Sequence, residues 1–263
     1  MVRVAGGGYA GVGGNGLEGR AGRPRSAKMA RHWAVLAVIA GTVLGGTASA
    51  ERLDELPLVV ENPTGQARGA VVFISGDGGW TKIDVDVTAE LLAAGYGVVG
   101  LNANKYFGSR KPPDQIAADV GLIGTHYLKE WDTKHLLLFG YSRGADVLPF
   151  VVPRLDVGLR QDVQSVVLLG PAAYTHFQIH MTDFISNRRR SDSVDVLPEA
   201  DKVDRPIICV YGTDEDHSLC PLLPSSATKI EIDGGHHFDG DYRGIAKQIL
   251  SLIPAPATPP HTL

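Results

Sequence analysis

The sequence predicts an α/β fold, a doubly wound and mostly parallel sheet with helices on both faces. Three observations carry this. Seven short apolar runs rich in β-branched residues recur between residues 57 and 233. Several of them are apolar at consecutive positions, as strands covered on both faces are. Helix-like stretches separate them, and strand–helix–strand order implies right-handed crossovers within one sheet. Composition agrees: of 263 residues, 44% are hydrophobic and 21% charged, too apolar for disorder. Two cysteines are too few for a disulfide scaffold.

The first fifty residues stand apart. They hold 12 of the 32 glycines, six Lys/Arg and a single acid, Glu18. Residues 51–263 therefore carry 19 basic and 28 acidic side chains, a net −9 against −4 for the whole chain. An acidic body argues against nucleic-acid binding, which leaves a basic footprint. Residues 1–28 are Gly/Arg-rich and show no hydrophobic period, an upstream extension. From Met29, Arg31 and His32 form a short basic start, WAVLAVIAGTVLGG (33–46) is an apolar core, and Ala48 and Ala50 supply the small residues of a cleavage site. Met29–Ala50 is expected to be a cleaved secretory signal, with export to the periplasm; a retained membrane anchor is the alternative. Export sets an oxidising context for Cys209 and Cys220, eleven positions apart. The expectation is one short-loop disulfide contributing about 2–3 kcal/mol, against two independent buried thiols.

The elements of the 51–253 domain follow in order. PLVVEN (57–62) and AVVFISG (70–76) are strands. Asp84–Ala94 is a helix with Val87, Leu91 and Leu92 on its apolar side, ending at Gly95. After the strand YGVVGLN (96–102), Pro113–Trp131 opens with Pro and Asp and carries Ile116, Val120, Ile123, Tyr127 and Leu128 on one stripe. The strand HLLLFG (135–140) leads directly into helical Gly144–Leu155. SVVLLGP (165–171), PIICVYG (206–212) and TKIEID (228–233) complete the strands, and Tyr242–Ile253 is the last helix. Residues 172–205 exceed an ordinary connection and suit an edge strand, a cap or a mobile loop. PAPATPPHTL (254–263) reads as a disordered tail.

Gly140-Tyr141-Ser142-Arg143-Gly144 is a G-x-S-x-G pentapeptide set between a strand and a helix, the context a nucleophile elbow requires. A sharp strand-to-helix turn leaves no room beside the serine. Glycine at both flanks relieves the clash and lifts the hydroxyl of Ser142 above the sheet. The Arg143 N–H then points where an oxyanion would develop, at a helix N-terminus. A serine of ordinary pKa needs a base and an orienting acid. In such folds the acid follows a late strand and the histidine comes last. Thr213-Asp214-Glu215-Asp216-His217 follows PIICVYG, and Gly234-Gly235-His236-His237-Phe238 follows TKIEID. Glu215 and Asp214 are nearly equal candidates for the acid, with Asp216 third. His236 is favoured as base because it directly follows the Gly pair, and His237, pointing the other way in an extended loop, would pack or touch substrate.

A metal reading of His236, His237, Asp239 and Asp241 is set aside: zinc ligands are rarely neighbours in one loop, and a serine elbow needs no metal. No cofactor is expected. His126, His135, His176 and His180 match no ligand spacing. The second oxyanion donor should come from the loop Gly76-Asp77-Gly78-Gly79-Trp80, through the N–H of Asp77 or Gly78. The Asp77 carboxylate is unexpected there because it would oppose developing negative charge. It either points away as a structural group or recognises a cationic substrate group. Arg188–Arg190 would meet phosphate or form a solvated face.

SGDGGW (75–80), GYSRGADVLPF (140–150), CVYGTDEDHSLCP (209–221) and GGHHFDGDY (234–242) resemble the motifs of the bacterial virulence-factor AcvB/VirJ family over about residues 57–253. The resemblance implies an exported α/β hydrolase that cleaves lysyl-phosphatidylglycerol, an aminoacylated anionic phospholipid, with peripheral contact to membrane lipid. It implies Ser142 as nucleophile, a base from the His236/His237 pair, and an acid from residues 213–217 with Glu215 favoured. It also supports pairing of Cys209 with Cys220. Asp77 and the acidic loop would meet the lysyl ammonium and the arginines the phosphate. Two positions depart from the family pattern. Arg143 stands where an aromatic is more frequent, and NANKYFGSRKPP (102–113) has Gly108 in place of a tryptophan. Both bear on the acyl pocket more than on hydrolysis itself. The domain occurs once, whereas some relatives carry two copies.

Overall fold

β2 (Gly69–Ile74), β3 (Tyr96–Leu101) and β4 (Leu136–Tyr141) are six-residue strands in which every residue is buried. This is the outcome consecutive apolar positions predict for strands with cover on both faces. The computed structural model describes residues 51–179 and 189–254, which fall within one compact unit, Ala48–Leu263. The expected secretory signal, the 1–28 extension, residues 180–188 and the tail beyond Pro254 lie outside the described residues. With β1 (Leu58–Glu61), β5 (Val163–Leu169), β6 (Ile207–Gly212) and β7 (Thr228–Ile232), the strands form a seven-stranded sheet in the order β1-β3-β2-β4-β5-β6-β7. β1 is antiparallel to β3, and every other pairing is parallel. The doubly wound sheet is as expected.

Successive residues of each strand go to opposite cores. Val72, Ile74 and Leu138 pack with Ile116 and Val120 of α2 (Pro113–Glu130) and Val147 of α3 (Arg143–Val151). Val71, Phe73 and Phe139 pack with Val87 and Leu91 of α1 (Lys82–Ala93) and Ile249 of α4 (Tyr242–Leu252). β3 shows how closely the helices press. A Cβ at Gly97 would lie 2.5 Å from the Trp131 ring, and one at Gly100 would lie 2.1 Å from the Trp80 ring. The two indoles occupy the space that side chains would need, one on each face of the sheet.

Helix ends differ from expectation by a few residues, each for a local reason. α1 starts two residues early because Thr81 caps it: the Thr81 N–H donates to Asp84 Oδ2 at 2.7 Å in a capping box. α3 stops at Val151 and continues as a 3-10 turn, Val152–Arg154. Pro153 has no N–H to give the carbonyl four residues back. The described part of 172–205 is a two-stranded antiparallel ribbon, Tyr174–Thr175 with Val194–Asp195, followed by a short helix at Leu197–Ala200. It adds no strand to the main sheet among the described residues. No helix among them is long and apolar enough to cross a membrane.

Candidate active site

β4 ends at Tyr141, α3 begins at Arg143, and Ser142 makes the turn between them with φ +52° and ψ −116°. A side-chain-bearing residue with positive φ stores roughly 1–3 kcal/mol of strain, held here by its surroundings. Its N–H donates to Leu169 O at 2.8 Å, and its carbonyl accepts from Asp146 N at 2.9 Å. The flanking glycines are obligatory. A Cβ at Gly140 would meet the Gly144 backbone at 2.4 Å, and one at Gly144 would meet Ile74 O at 1.9 Å. The elbow predicted from G-x-S-x-G is present.

The acid and the histidine meet from two loops. Glu215 lies three residues past Gly212, the end of β6, and its Oε2 accepts the Gly212 N–H at 2.7 Å. Its Oε1 lies 2.6 Å from His236 Nδ1. With Nδ1–H given to the carboxylate, Nε2 is the basic nitrogen. Gly170, at φ +59°, makes room for this pair, since a Cβ there would sit 2.9 Å from the His236 ring. The Asp214 and Asp216 carboxylates are exposed and hydrogen-bond neither histidine. Asp214 is held by its backbone instead, N–H to Gly234 O at 2.9 Å, so the near-equal ranking of Asp214 with Glu215 resolves to Glu215.

Tyr141 arranges the histidines. Its ring stacks on His236 with centroids 5.3 Å apart and 26° between planes. Its hydroxyl meets His237 Nδ1 at 3.0 Å, so His237 is tied to the strand end beside Ser142, and the bond to Glu215 is made by His236 instead. Burial raises the Tyr141 pKa and keeps the phenol neutral as a donor. Ser142, His236, His237 and Gly76–Gly78 line one cavity of about 310 Å³. A neighbouring cavity of about 250 Å³ is lined by Ser142, Asp146, Glu215 and His236. No hydrogen bond joins Ser142 to His236 among the described residues; such contacts are often open without substrate. A larger open groove of about 1020 Å³ lies by Arg68 and His135, at the amino ends of β2 and β4, away from this chemistry.

The Asp77 carboxylate is bound. Arg143 Nε donates to its Oδ1 at 2.9 Å and Arg143 Nη2 to its Oδ2 at 2.8 Å. Both oxygens are engaged by Arg143, which is the structural one of the two roles the sequence left open for Asp77. The Asp77 and Gly78 N–H groups have no acceptor among the described residues, whereas Gly79 N–H turns back to Gly76 O at 3.0 Å. Arg189 pairs with Asp195 and Arg190 with Asp192, so the described arginines of the basic run are matched by local carboxylates. Arg188 lies outside the described residues.

Two residues escaped the sequence reading. Tyr141 could have been placed on its face of the sheet by alternation along β4, but its partners lie some 95 positions away. Asp146 is buried one helical turn past Ser142, its Oδ1 accepting the Ala172 N–H at 2.7 Å. Burial pushes its pKa up to about 7 against the opposing pull of Arg143. Cys209 and Cys220 are disulfide-bonded with Cα atoms 5.6 Å apart, as expected, and the bridge closes the loop that carries Glu215. No group of ligand-type side chains suited to a metal ion occurs among the described residues.

Comparison with curated proteins gives no match. Solved structures share the architecture. Est1E from Butyrivibrio proteoclasticus is 13% identical with a TM-score of 0.54, over 74% of this chain and 93% of that one. An alpha-beta serine hydrolase homologue from Coxiella burnetii is 15% identical with a TM-score of 0.52, over 75% and 91%. A dienelactone hydrolase from Anabaena variabilis is 19% identical with a TM-score of 0.50, over 74% and 88%. At these identities the likeness establishes the α/β-hydrolase fold. The family described as bacterial virulence protein (VirJ) matches residues 69–255, most of the chain, and this protein belongs to it.

Proposed function

We propose that this protein is an exported serine ester hydrolase that works through an acyl-enzyme, with lysyl-phosphatidylglycerol as its substrate. The observation that carries the hydrolase reading is the Glu215–His236 pair sharing a cavity with Ser142 on a strained elbow. Ser142 Oγ attacks the ester carbonyl while His236 Nε2 takes the hydroxyl proton. Glu215, bonded to Nδ1, stabilises the resulting imidazolium. The tetrahedral oxyanion is received by the N–H groups of Arg143 and of Asp77 or Gly78. The C–O bond to the alcohol breaks as His236 returns the proton to the leaving oxygen. Water, deprotonated by the same nitrogen, then attacks the acyl-enzyme, releasing the acid and restoring Ser142.

The lipid substrate is supported by family membership and by the motifs at 75–80, 140–150, 209–221 and 234–242. With Asp77 engaged, Asp216 in the wall of the smaller cavity is the carboxylate we assign to the lysyl ammonium. Export is supported by the apolar stretch ending in Ala48 and Ala50 and by the disulfide.

The test uses a fluorophosphonate probe and vesicles. Labelling of the wild type, lost in Ser142→Ala, is expected, together with release of free lysine from vesicles of lysyl-phosphatidylglycerol. An unlabelled folded protein would make it a binding factor. Labelling without lysine release would leave an esterase or thioesterase of other acyl specificity, the reading that Arg143 and Gly108 favour.

A further inference from the structure

The two sides of the oxyanion hole come from loops far apart in the chain: Asp77 follows β2 and Arg143 opens α3, 66 positions later. Their side chains are tied together by a two-point fork, Nε to Oδ1 at 2.9 Å and Nη2 to Oδ2 at 2.8 Å. We infer that the Arg143–Asp77 pair is a positioning device for the oxyanion hole: it fixes the spacing of the two donor loops and cancels a carboxylate charge that would otherwise face the developing oxyanion. This rests on the acyl-transfer reading above.

Three features support it. The guanidinium is buried, with only 4% of its side chain exposed, so its charge is screened little by water. Its third nitrogen, Nη1, donates to Thr175 Oγ1 at 3.1 Å and to the His176 carbonyl at 2.9 Å. The cation is thus anchored on the ribbon as well as on the loop, in a planar geometry that lysine cannot reproduce. Asp77, by contrast, sits in a loop with few ties of its own. Its carbonyl accepts from Asn104 Nδ2 at 2.7 Å, and its side chain is held by Arg143. Without the arginine, an unpaired negative charge would remain on the loop that carries the second donor, and that loop would lose its strut.

A buried pair is costly to break on one side and cheaper to remove on both. That asymmetry supplies the experiment: hydrolysis of p-nitrophenyl acetate by wild type, Arg143→Met, Arg143→Lys, Asp77→Asn and the Arg143→Met/Asp77→Asn double variant. Arg143→Met should lower kcat by about 30- to 100-fold with KM within about threefold, somewhat less than the roughly 10²- to 10³-fold lost when an oxyanion donor is itself removed. Asp77→Asn should lose less, Arg143→Lys should fall between wild type and Arg143→Met, and the double variant should recover at least tenfold over Arg143→Met. A double variant no faster than Arg143→Met, or a loss confined to KM, overturns the proposal while leaving Ser142-dependent turnover intact. A wild type with no Ser142-dependent turnover overturns both readings. If Arg143→Met fails to fold by thermal melting, Arg143→Gln, which keeps an N–H donor and drops the charge, takes its place in the same cycle.

Discussion

The elbow and the acid–histidine loops do the same job by opposite means. From Gly140 to Gly144 the chain is held by its own backbone. Neither flanking position has space for a single methyl group, and Ser142 is held at positive φ. From 213 to 217 and from 234 to 238 the chain is partly exposed, and function depends on which side chain reaches which partner. Steric necessity leaves a signature in the sequence, whereas reach does not. Asp214, Glu215 and Asp216 look alike along the chain; only Glu215 is turned inward, by the bond from Gly212 N–H.

This contrast can be broken or sharpened in four ways, from the largest effect to the smallest. The reach argument demands inequality between neighbours. Glu215→Gln and His236→Ala should each lower kcat about 10³- to 10⁴-fold, whereas Asp214→Asn and His237→Gln should cost less than tenfold, measured by ester hydrolysis. Equal losses at 214 and 215 would dissolve the distinction. The steric argument predicts that Gly144→Ala, whose new Cβ would meet Ile74 O at 1.9 Å, destabilises by about 3–5 kcal/mol in a denaturant melt.

The third concerns the buried carboxyl one turn beyond the elbow. The Asp146 pKa lies at about 7 in the folded chain, above its ordinary value of 3.8, so the folded state binds more protons between those values. Stability should therefore fall as pH rises from about 4 through about 7, by roughly 2–4 kcal/mol, and Asp146→Asn should flatten that slope. The smallest effect belongs to the clip on the acid loop. Replacing Cys209 and Cys220 together by Ala should cost about 2–3 kcal/mol, read as a lower Tm.

The same contrast explains how much of the fold and site is legible in the sequence. The central strands fall where consecutive apolar residues place them, because burial on both faces leaves no alternative composition, while the half-exposed edge strands Leu58–Glu61 and Thr228–Ile232 were marked by shorter apolar patterns. Helix ends shifted by a few residues because caps such as Thr81 and the block at Pro153 act locally against the hydrophobic period. The Tyr174–Thr175 and Val194–Asp195 ribbon was invisible, since two residues per strand carry no period. In the site, Ser142 and His236 were legible from spacing and order. The fork between Asp77 and Arg143 was not, because nothing in a linear text says that positions 77 and 143 are neighbours. The puzzle of an acid beside an oxyanion hole was visible in the sequence; its answer lay in the fold.

The paired indoles of β3 have a practical consequence. Trp80 and Trp131 are the tryptophans of the 51–253 domain, each wedged against a different side of one strand at Gly100 and Gly97. Trp80 also ends the loop bearing Asp77 and Gly78. Ultraviolet emission from single-tryptophan versions of the domain would accordingly act as two built-in gauges. One would report the seating of the loop beside Ser142, and the other the integrity of the layer behind it, with no dye attached.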